Sequence, residues 1–323
     1  MEADTDAEVD GITLRRALTG RYDVWHVHWP DDFLSYPSAT RATVYVAAEL
    51  VLFLCARLRG AALVWTVHDL GPHESRHPAL ETLFWRLFIP MVDGIVSLSE
   101  TARDEALAQF PTLRRVPTAV VPHGHYRPAY PDPVSRRDAR AQFDLPATAR
   151  VATFFGRIRP YKNVPSLIEA FRQWTDPDAR LLVAGNPSAE ALQTTITEAA
   201  DGDARITTAL RFIEEREVPP LFGASNLVVL PYDDIMHSGT ALLALSFDRP
   251  VLVPDRGAMS ELQARVGVDW VRTYDGPLAA DVLADAMGWA ESQERAGRAP
   301  LDALDWGPLA RSTLDLYRRA VQT

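Results

Sequence analysis

Lysine is almost missing from this 323-residue chain: of 33 basic side chains all but Lys162 are arginine. Cysteine is nearly as scarce. Cys55 has no partner for an internal disulfide, and no cysteine spacing of the zinc-binding kind exists. Positive charge is in deficit, with a formal net charge of -10, which argues against general binding of nucleic-acid backbones. Long apolar runs are also absent. The longest, Val44 to Leu58 (VYVAAELVLFLCARL), is too short to span a bilayer and carries Glu49 and Arg57, so it is expected to be a buried helix. Phe84, Trp85, Leu87, Phe88 and Ile89 cluster around Arg86 nearby, and a peripheral membrane patch formed with the first run is the alternative reading. The acidic start, MEADTDAEVD, has no signal-peptide pattern, and the expected location is the cytoplasm, or the inner face of its membrane if that patch operates.

What is present is a soluble composition, 47% hydrophobic and 24% charged, in a chain long enough for two cores. Apolar runs of strand length alternate with helical patterns, the signature of βαβ units and parallel sheets. Strands are predicted at Asp23–His28, Ala62–His68, Gly94–Leu98, Thr118–Pro122, Val151–Phe155, Arg180–Ala184, Leu227–Pro231 and Val251–Pro254. Helices are predicted at Glu100–Phe110, Val164–Trp174, Ser188–Ala199, Thr240–Phe247 and Leu278–Glu291. Pro128, Pro131, Pro133 and Pro146 crowd one segment, which reads as a linker. The expectation is an α/β protein of two tandem Rossmann-like, doubly wound domains, residues 1–145 and 146–305, with a closing helix over 306–323 that returns toward the first. Ligands of such sheets bind beyond the carboxyl ends of the strands, here in an interdomain cleft.

Lys162 sits in a telling place. Phe154-Phe155-Gly156-Arg157-Ile158-Arg159-Pro160-Tyr161-Lys162-Asn163 reads as a strand end, a glycine turn, a basic loop and a helix start. A helix N-terminus beside two cations is a seat for a diphosphate. Lysine contributes a compact charge on a flexible stem, and Arg157 a planar fork. Ser238-Gly239-Thr240 opens another helix with small and hydroxylated residues, suited either to phosphate or to simple capping.

These motifs resemble the glycosyltransferases of GT-B fold, especially family 4, across nearly the whole chain. Phe155-Gly156-Arg157 with Lys162-Asn163 and Leu167 to Phe171 resembles that family's donor-diphosphate loop and helix. Leu181 to Asn186, Ala224 to Tyr232 and Arg249 to Pro254 follow in the family's order, while Thr66-Val67-His68-Asp69 and Val121-Pro122-His123-Gly124 resemble its acceptor-domain segments. His26 to Asp31, Trp65 to His68 with Pro72-His73-Glu74, and His237 to Phe247 are closer to bacterial β-mannosyltransferases of exopolysaccharide assembly. Two departures stand out. Ile235 and Leu243 occupy the places where many family 4 members carry glutamates that touch donor sugar and ribose, which leaves the stereochemistry open. The start of the chain also lacks the usual opening strand with a glycine-rich turn.

The resemblance implies a hexosyltransferase that needs no metal and no cofactor beyond a nucleotide-diphosphate sugar as co-substrate, GDP-mannose being indicated by the subgroup. The acceptor would be a hydroxyl of a glycolipid, saccharide or small molecule, and nucleic acid is not expected as a partner. Donor contacts are expected from Gly156, Arg157, Lys162, Gly185, Asn186, His237, Ser238, Gly239 and Thr240. Phe212, Ile213 and Glu217 are expected near base and ribose, with Phe212 equally readable as core. For the base, His68 is the first choice, because a histidine of near-neutral pKa can take a hydroxyl proton; in an inverting reaction Asp31, Asp69 and Glu74 compete with it, and in a retaining one His68 would only hold the sugar. His123 and His125 are weaker candidates. Asp176-Pro177-Asp178 and Asp201-Gly202-Asp203 read as turns rather than cation sites. Two other classes remain open: an inactive nucleotide-sugar-binding partner protein, and an epimerase of the same fold that needs no acceptor.

Overall fold

The computed structural model describes residues 7–71, 76–130, 134–292, 295 and 297–322. Along the chain come α1 (Leu14–Thr19), β1 (Val24–His28), α2 (Ala39–Leu58), β2 (Ala62–Val67), α3 (Pro78–Phe88), β3 (Gly94–Ser97), α4 (Glu100–Gln109) and β4 (Thr118–Val120). Next are α5 (Arg136–Ala141), β5 (Arg150–Phe155), α6 (Val164–Gln173), β6 (Ala179–Ala184), α7 (Glu190–Ala200), β7 (Ile206–Ala209) and α8 (Val218–Ala224). The chain closes with β8 (Leu227–Val229), α9 (Gly239–Ser246), β9 (Val251–Pro254), α10 (Met259–Val266), β10 (Val271–Tyr274), α11 (Ala280–Ser292) and α12 (Trp306–Ala320). These fall into two compact units, one running to His123 and resuming at Leu304, the other Gly124–Ala303.

Both sheets are parallel throughout. In the first unit the strands lie in simple order β1-β2-β3-β4. Its central strand β2 is buried along its whole length, which is why its sequence runs apolar without polar alternation. The two faces still separate by the strand period of two. Leu63, Trp65 and Val67 join Phe53, Phe84 and Phe88 in one core. Ala62 and Val64 join Leu309, Leu316 and Ala320 of α12 in another.

In the second unit the order is β10-β9-β8-β5-β6-β7. From β5 the sheet grows one way through β6 and β7, and then the other way through β8. At such a reversal, beyond the carboxyl ends of β5 and β8, doubly wound sheets take their ligands. One face of this sheet packs Val151, Leu182 and Ala184 against Ala139, Leu221 and Ala224.

Three expectations need correction. The division falls at His123, not at 145, because the described residues on either side of 131–133 are fastened to the second unit. Arg140 is buried and donates to the carbonyls of Ala147, Ala149 and Ala224 and to the Asn226 side chain. Arg127 pairs with Asp248 at 2.7 Å. The run Val44 to Leu58 belongs to a longer helix that lies at the surface: only Ala42, Val46, Phe53 and Ala56 of α2 are buried, while Val44, Val51, Leu54 and Leu58 are exposed. Among the described residues it is the one helix long and apolar enough to cross a bilayer. Finally, β7 and β10 are strands that the apolar-run reading passes over. β7 is half exposed, with Thr207 and Thr208 outward, so it lacks the run that marks a covered strand.

Candidate active site

The second unit gathers cations at the end of β5. Gly156 leaves the strand at a φ of 126° and Gly185 leaves β6 at 152°. A Cβ on Gly185 would stand 1.8 Å from the Gly156 carbonyl oxygen, so the two turns pack so closely that only glycine fits at 185. The loops then run side by side, Ile158 N–H donating to Asn186 O at 2.9 Å and Ser188 N–H to Ile158 O at 2.8 Å. Where a Gly156 Cβ would project, Thr240 Oγ1 is 3.2 Å away and Lys162 Nζ 3.5 Å. Gly156, Lys162, Gly185 and Thr240 thus converge on one spot.

Lys162 lies in a short 3₁₀ turn, Pro160–Lys162, ahead of α6, with its ammonium 5.0 Å from the centre of the Tyr232 ring. Tyr232 follows β8, so this contact bridges the reversal of the sheet. Two bonds reinforce it: Asp233 N–H to Tyr161 O at 2.8 Å, and Asn163 Nδ2 to Asp233 Oδ1 at 2.9 Å. Burial lowers the Lys162 pKa to about 8, helped by the guanidinium charges of Arg159 and Arg157. A half-buried ammonium held against two like charges would be stabilised by a nearby anion. Arg157 and Lys162 are legible in the sequence, whereas Arg159, for which the Arg-x-Arg spacing is a signal, and Tyr232 join them only in the fold.

Ser238 accepts from Ala241 N–H at 3.1 Å and caps α9. Gly239 is exposed, and a Cβ there would come within 3.1 Å of the Tyr126 hydroxyl, a neighbour that sequence order alone does not reveal. Tyr232 is buried; its hydroxyl faces Ser238 and Thr240 without a hydrogen bond of full geometry, and burial pushes its pKa up. Phe212 is 74% exposed, so it is not core. Ile213 is half-buried on the core cluster beneath it. Glu217 is engaged: Arg211 binds both its oxygens at 2.6 and 2.8 Å, one of which also accepts from Glu214 N–H. That arginine and that N–H pull its pKa down to about 2. A ribose hydroxyl would have to share those oxygens. Ile235 and Leu243 are both buried. Asp176 and Asp203 accept from backbone N–H groups two residues on and pair with Arg150 and Arg205, which is turn chemistry.

The first unit gathers imidazoles and carboxyls instead. His28 closes β1 and lies beside Thr66 of β2, which places His68 just beyond. His28 Nδ1 and His68 Nε2 are 2.8 Å apart, a hydrogen bond that needs one proton between them. His26 is held between Tyr317 Oη and Thr66 Oγ1, each at 2.5 Å. Burial and the two neighbouring histidines lower its pKa to about 3, so it stays neutral and structural. Asp31 is 8% exposed, and burial, against its own backbone N–H, raises its pKa to about 6, with Asp32, Asp69 and Glu81 adding repulsion. Asp31, Asp69 and His68 are therefore brought to one edge of the sheet, whereas Glu74 and His73 lie outside the described residues. Glu49 of α2, missed from sequence, is raised to about 8 by burial and by Asp31 and Asp32. His123 sits edge-on to Trp306, and His125 accepts from Arg127 N–H, so both have structural contacts. His237 is half-buried in the loop before α9.

Residues 149–287 match the family described as glycosyl transferases group 1. Across 312 residues the chain is 32% identical to a GDP-mannose:glycolipid 4-beta-D-mannosyltransferase of Xanthomonas campestris pv. campestris, covering 96% of this chain and 83% of that one. It is 26% identical to a D-inositol 3-phosphate glycosyltransferase of Gordonia bronchialis, over 82% of this chain and 62% of the relative. Among solved structures, sucrose-phosphate synthase from Thermosynechococcus elongatus superposes with a TM-score of 0.70 at 21% identity, over 94% of this chain and 75% of that one. HepE of Anabaena, in complex with UDP and glucose, gives 0.60 at 17% identity, over 85% and 73%. At those identities the two structures establish the fold. The relative at 32% identity establishes the kinship: the chain is a glycosyltransferase and belongs to the GT-B family of these enzymes.

Proposed function

We propose that the chain moves mannose from GDP-mannose to a hydroxyl of a glycolipid, with the second unit holding the donor and the first the acceptor. The observation that carries this is the cation cluster at the β5–β8 reversal: Lys162, half-buried on Tyr232, with Arg157 and Arg159 acting on it. The Xanthomonas relative, named for that donor and a glycolipid, supports the substrates. As the bond from the sugar's anomeric carbon to the diphosphate oxygen breaks, charge grows on the departing GDP, and fixed cations there lower the barrier. Gly156, Gly185, Asn186 and the start of α9 supply room and N–H groups for the same phosphates, and exposed Phe212 offers a face to the base. The transfer runs on these protein groups without a metal.

The acceptor oxygen attacks the anomeric carbon and its proton goes to a base of the first unit. Asp31 takes that role ahead of His68. A buried carboxylate of pKa about 6 is ionised at neutral pH yet a stronger base than an ordinary aspartate. Nε2 of His68 already meets His28, which suits His68 to orienting the sugar. Asp69 raises the Asp31 pKa. The relative's name specifies a β-linkage, which an α-linked donor yields by a single inverting displacement. One base suffices for that, in keeping with Ile235 and Leu243 at the two glutamate places.

A lipid-linked acceptor places the enzyme at the cytoplasmic membrane face. Val44, Val51, Leu54 and Leu58 of α2 and Leu83 and Leu87 of α3 are exposed, as are Arg41, Arg59 and Arg86 of the same segments. No acidic side chain in residues 36–60 or 76–90 is exposed, although the chain as a whole is acidic. Such a face favours anionic lipid.

Calorimetry with GDP, UDP and their sugars tests the reading, alongside Lys162→Ala. Binding of GDP-mannose that the variant loses, with GDP released only when a glycolipid acceptor is added, is the expected result. Binding without turnover would favour a partner protein, and turnover without acceptor an epimerase. No binding by the unmodified chain would end the donor assignment.

A further inference from the structure

Trp29 has an unusual backbone and an unusual exposure for its type. Its φ of 45° lies in the left-handed region, which carries a steric cost for a bulky residue. Burial does not offset that cost, because Trp29 is 50% exposed. The residue follows His28 directly, at the carboxyl edge of the first sheet. Its indole lies flat on the His68 ring, 4.2 Å between centroids and 16° between planes, and 5.8 Å from the His28 ring. One face of the indole is thus covered by imidazole, while half of the residue stays exposed. The turn that holds it is tied by Asp32 N–H to Trp29 O at 3.2 Å and Leu34 N–H to Asp31 O at 2.9 Å. Around it stand the His28–His68 hydrogen-bonded pair and the buried Asp31.

A rigid aromatic face ringed by hydrogen-bonding groups suits one class of ligand well. A pyranose carries axial C–H groups on a flat face, weakly positive against an electron-rich ring, and hydroxyls at its rim that seek donors and acceptors. We propose that Trp29 is a saccharide platform: the indole face opposite His68 packs against the C–H face of the acceptor's terminal pyranose and aims a rim hydroxyl at Asp31 and the His28–His68 pair. His68 serves as the backing that keeps the indole flat, and the left-handed turn is what swings the ring over it. The proposal rests on the reading of the first unit as the acceptor side.

The probes are methyl β-D-mannopyranoside and methyl β-D-glucopyranoside, added to the intact protein and followed by saturation-transfer NMR. Saturation concentrated on the axial ring protons of one face, lowered about fivefold or more in Trp29→Ala and largely retained in Trp29→Phe, is the expected result. Thermal melting followed by circular dichroism verifies that both variants fold. Because Trp29→Phe keeps an aromatic face, it keeps the test meaningful even where Trp29→Ala fails to fold. Equal saturation in Trp29→Ala, loss of the signal in Trp29→Phe, uniform saturation of all ring protons, or none with the unmodified protein would each overturn the platform. GDP titration of the same samples separates the two claims. Failure of the unmodified protein to bind GDP would sink the donor reading while leaving a Trp29-dependent saccharide signal intact, whereas normal GDP binding with no Trp29 dependence would sink the platform alone.

Discussion

At the carboxyl ends of β5 and β8 the gathered side chains are Lys162, Arg157 and Arg159; at the ends of β1 and β2 they are His28, His68, Asp31 and Asp69. The same edge of the same kind of sheet has been given opposite charge. In both places burial works against the charged form. It lowers the ammonium of Lys162 to about 8 and raises the carboxyl of Asp31 to about 6. The consequence is complementary: one unit wants an anion to keep its proton, and the other holds a base that can accept one. Topology differs as well. The second sheet reverses its strand order, whereas the described strands of the first run in plain sequence, and its histidines and carboxyls come from residues at and just past the strand ends.

The comparison would break most visibly at Asp31. Asp31→Asn is expected to lower kcat about 10²–10⁴-fold with donor binding unchanged, since a general base contributes on that order. A calorimetric titration beside initial rates checks this, and an unaltered kcat would return the role to His68.

The pH dependence of kcat/KM sharpens it further. Asp31 must be ionised and Lys162 protonated, so activity should fall below about pH 6 and above about pH 8. Each limb belongs to one unit. Lys162→Arg keeps its charge through that range and should remove the alkaline limb, at some cost in geometry, while leaving the acid limb in place. A single variant that moved both limbs would dissolve the division.

Smaller in effect is Glu49, whose carboxyl is raised to about 8 in the folded chain against an ordinary 4.5. A raised carboxyl stabilises fully below the unfolded value and loses that contribution as pH rises through the folded one. The unmodified protein should therefore weaken between about pH 4.5 and pH 8. Glu49→Gln, an isostere of the neutral form, should not, and should melt higher at pH 9 by an amount equivalent to at most about 5 kcal/mol, the full span of the shift. Melting curves of both proteins across that range decide it. The smallest change belongs to the outer face of α2. Leu54→Glu with Leu58→Glu should cut flotation on anionic vesicles several-fold with stability within about 0.5 kcal/mol, because neither side chain is in the core.

The strands Val151–Phe155 and Val251–Pro254 were legible because strands covered on both faces spell themselves as apolar runs; β7, with outward threonines, was not. Gly156, Arg157, Lys162 and the start of α9 were legible because backbone geometry and charge are local properties of a loop and a helix start. Arg159 and Tyr232 were missed in different ways. Arg159 was in view, but its action on Lys162 is a matter of distance; Tyr232 comes from another strand altogether. The exposed side of α2 is not legible in the sequence, since hydrophobicity alone does not tell which neighbours a helix has.

The sequence by itself determined the βαβ alternation, the glycine turns, the lone lysine and the resemblance to glycosyltransferases, all of which depend on residues near one another along the chain. Only the tertiary structure decided the pKa of Asp31, the stacking of Trp29 on His68, the seating of Lys162 on Tyr232 and the occupied carboxylate of Glu217. Each of those depends on burial or on a partner distant in the chain, and electrostatic free energies are set by distance and desolvation rather than by residue type.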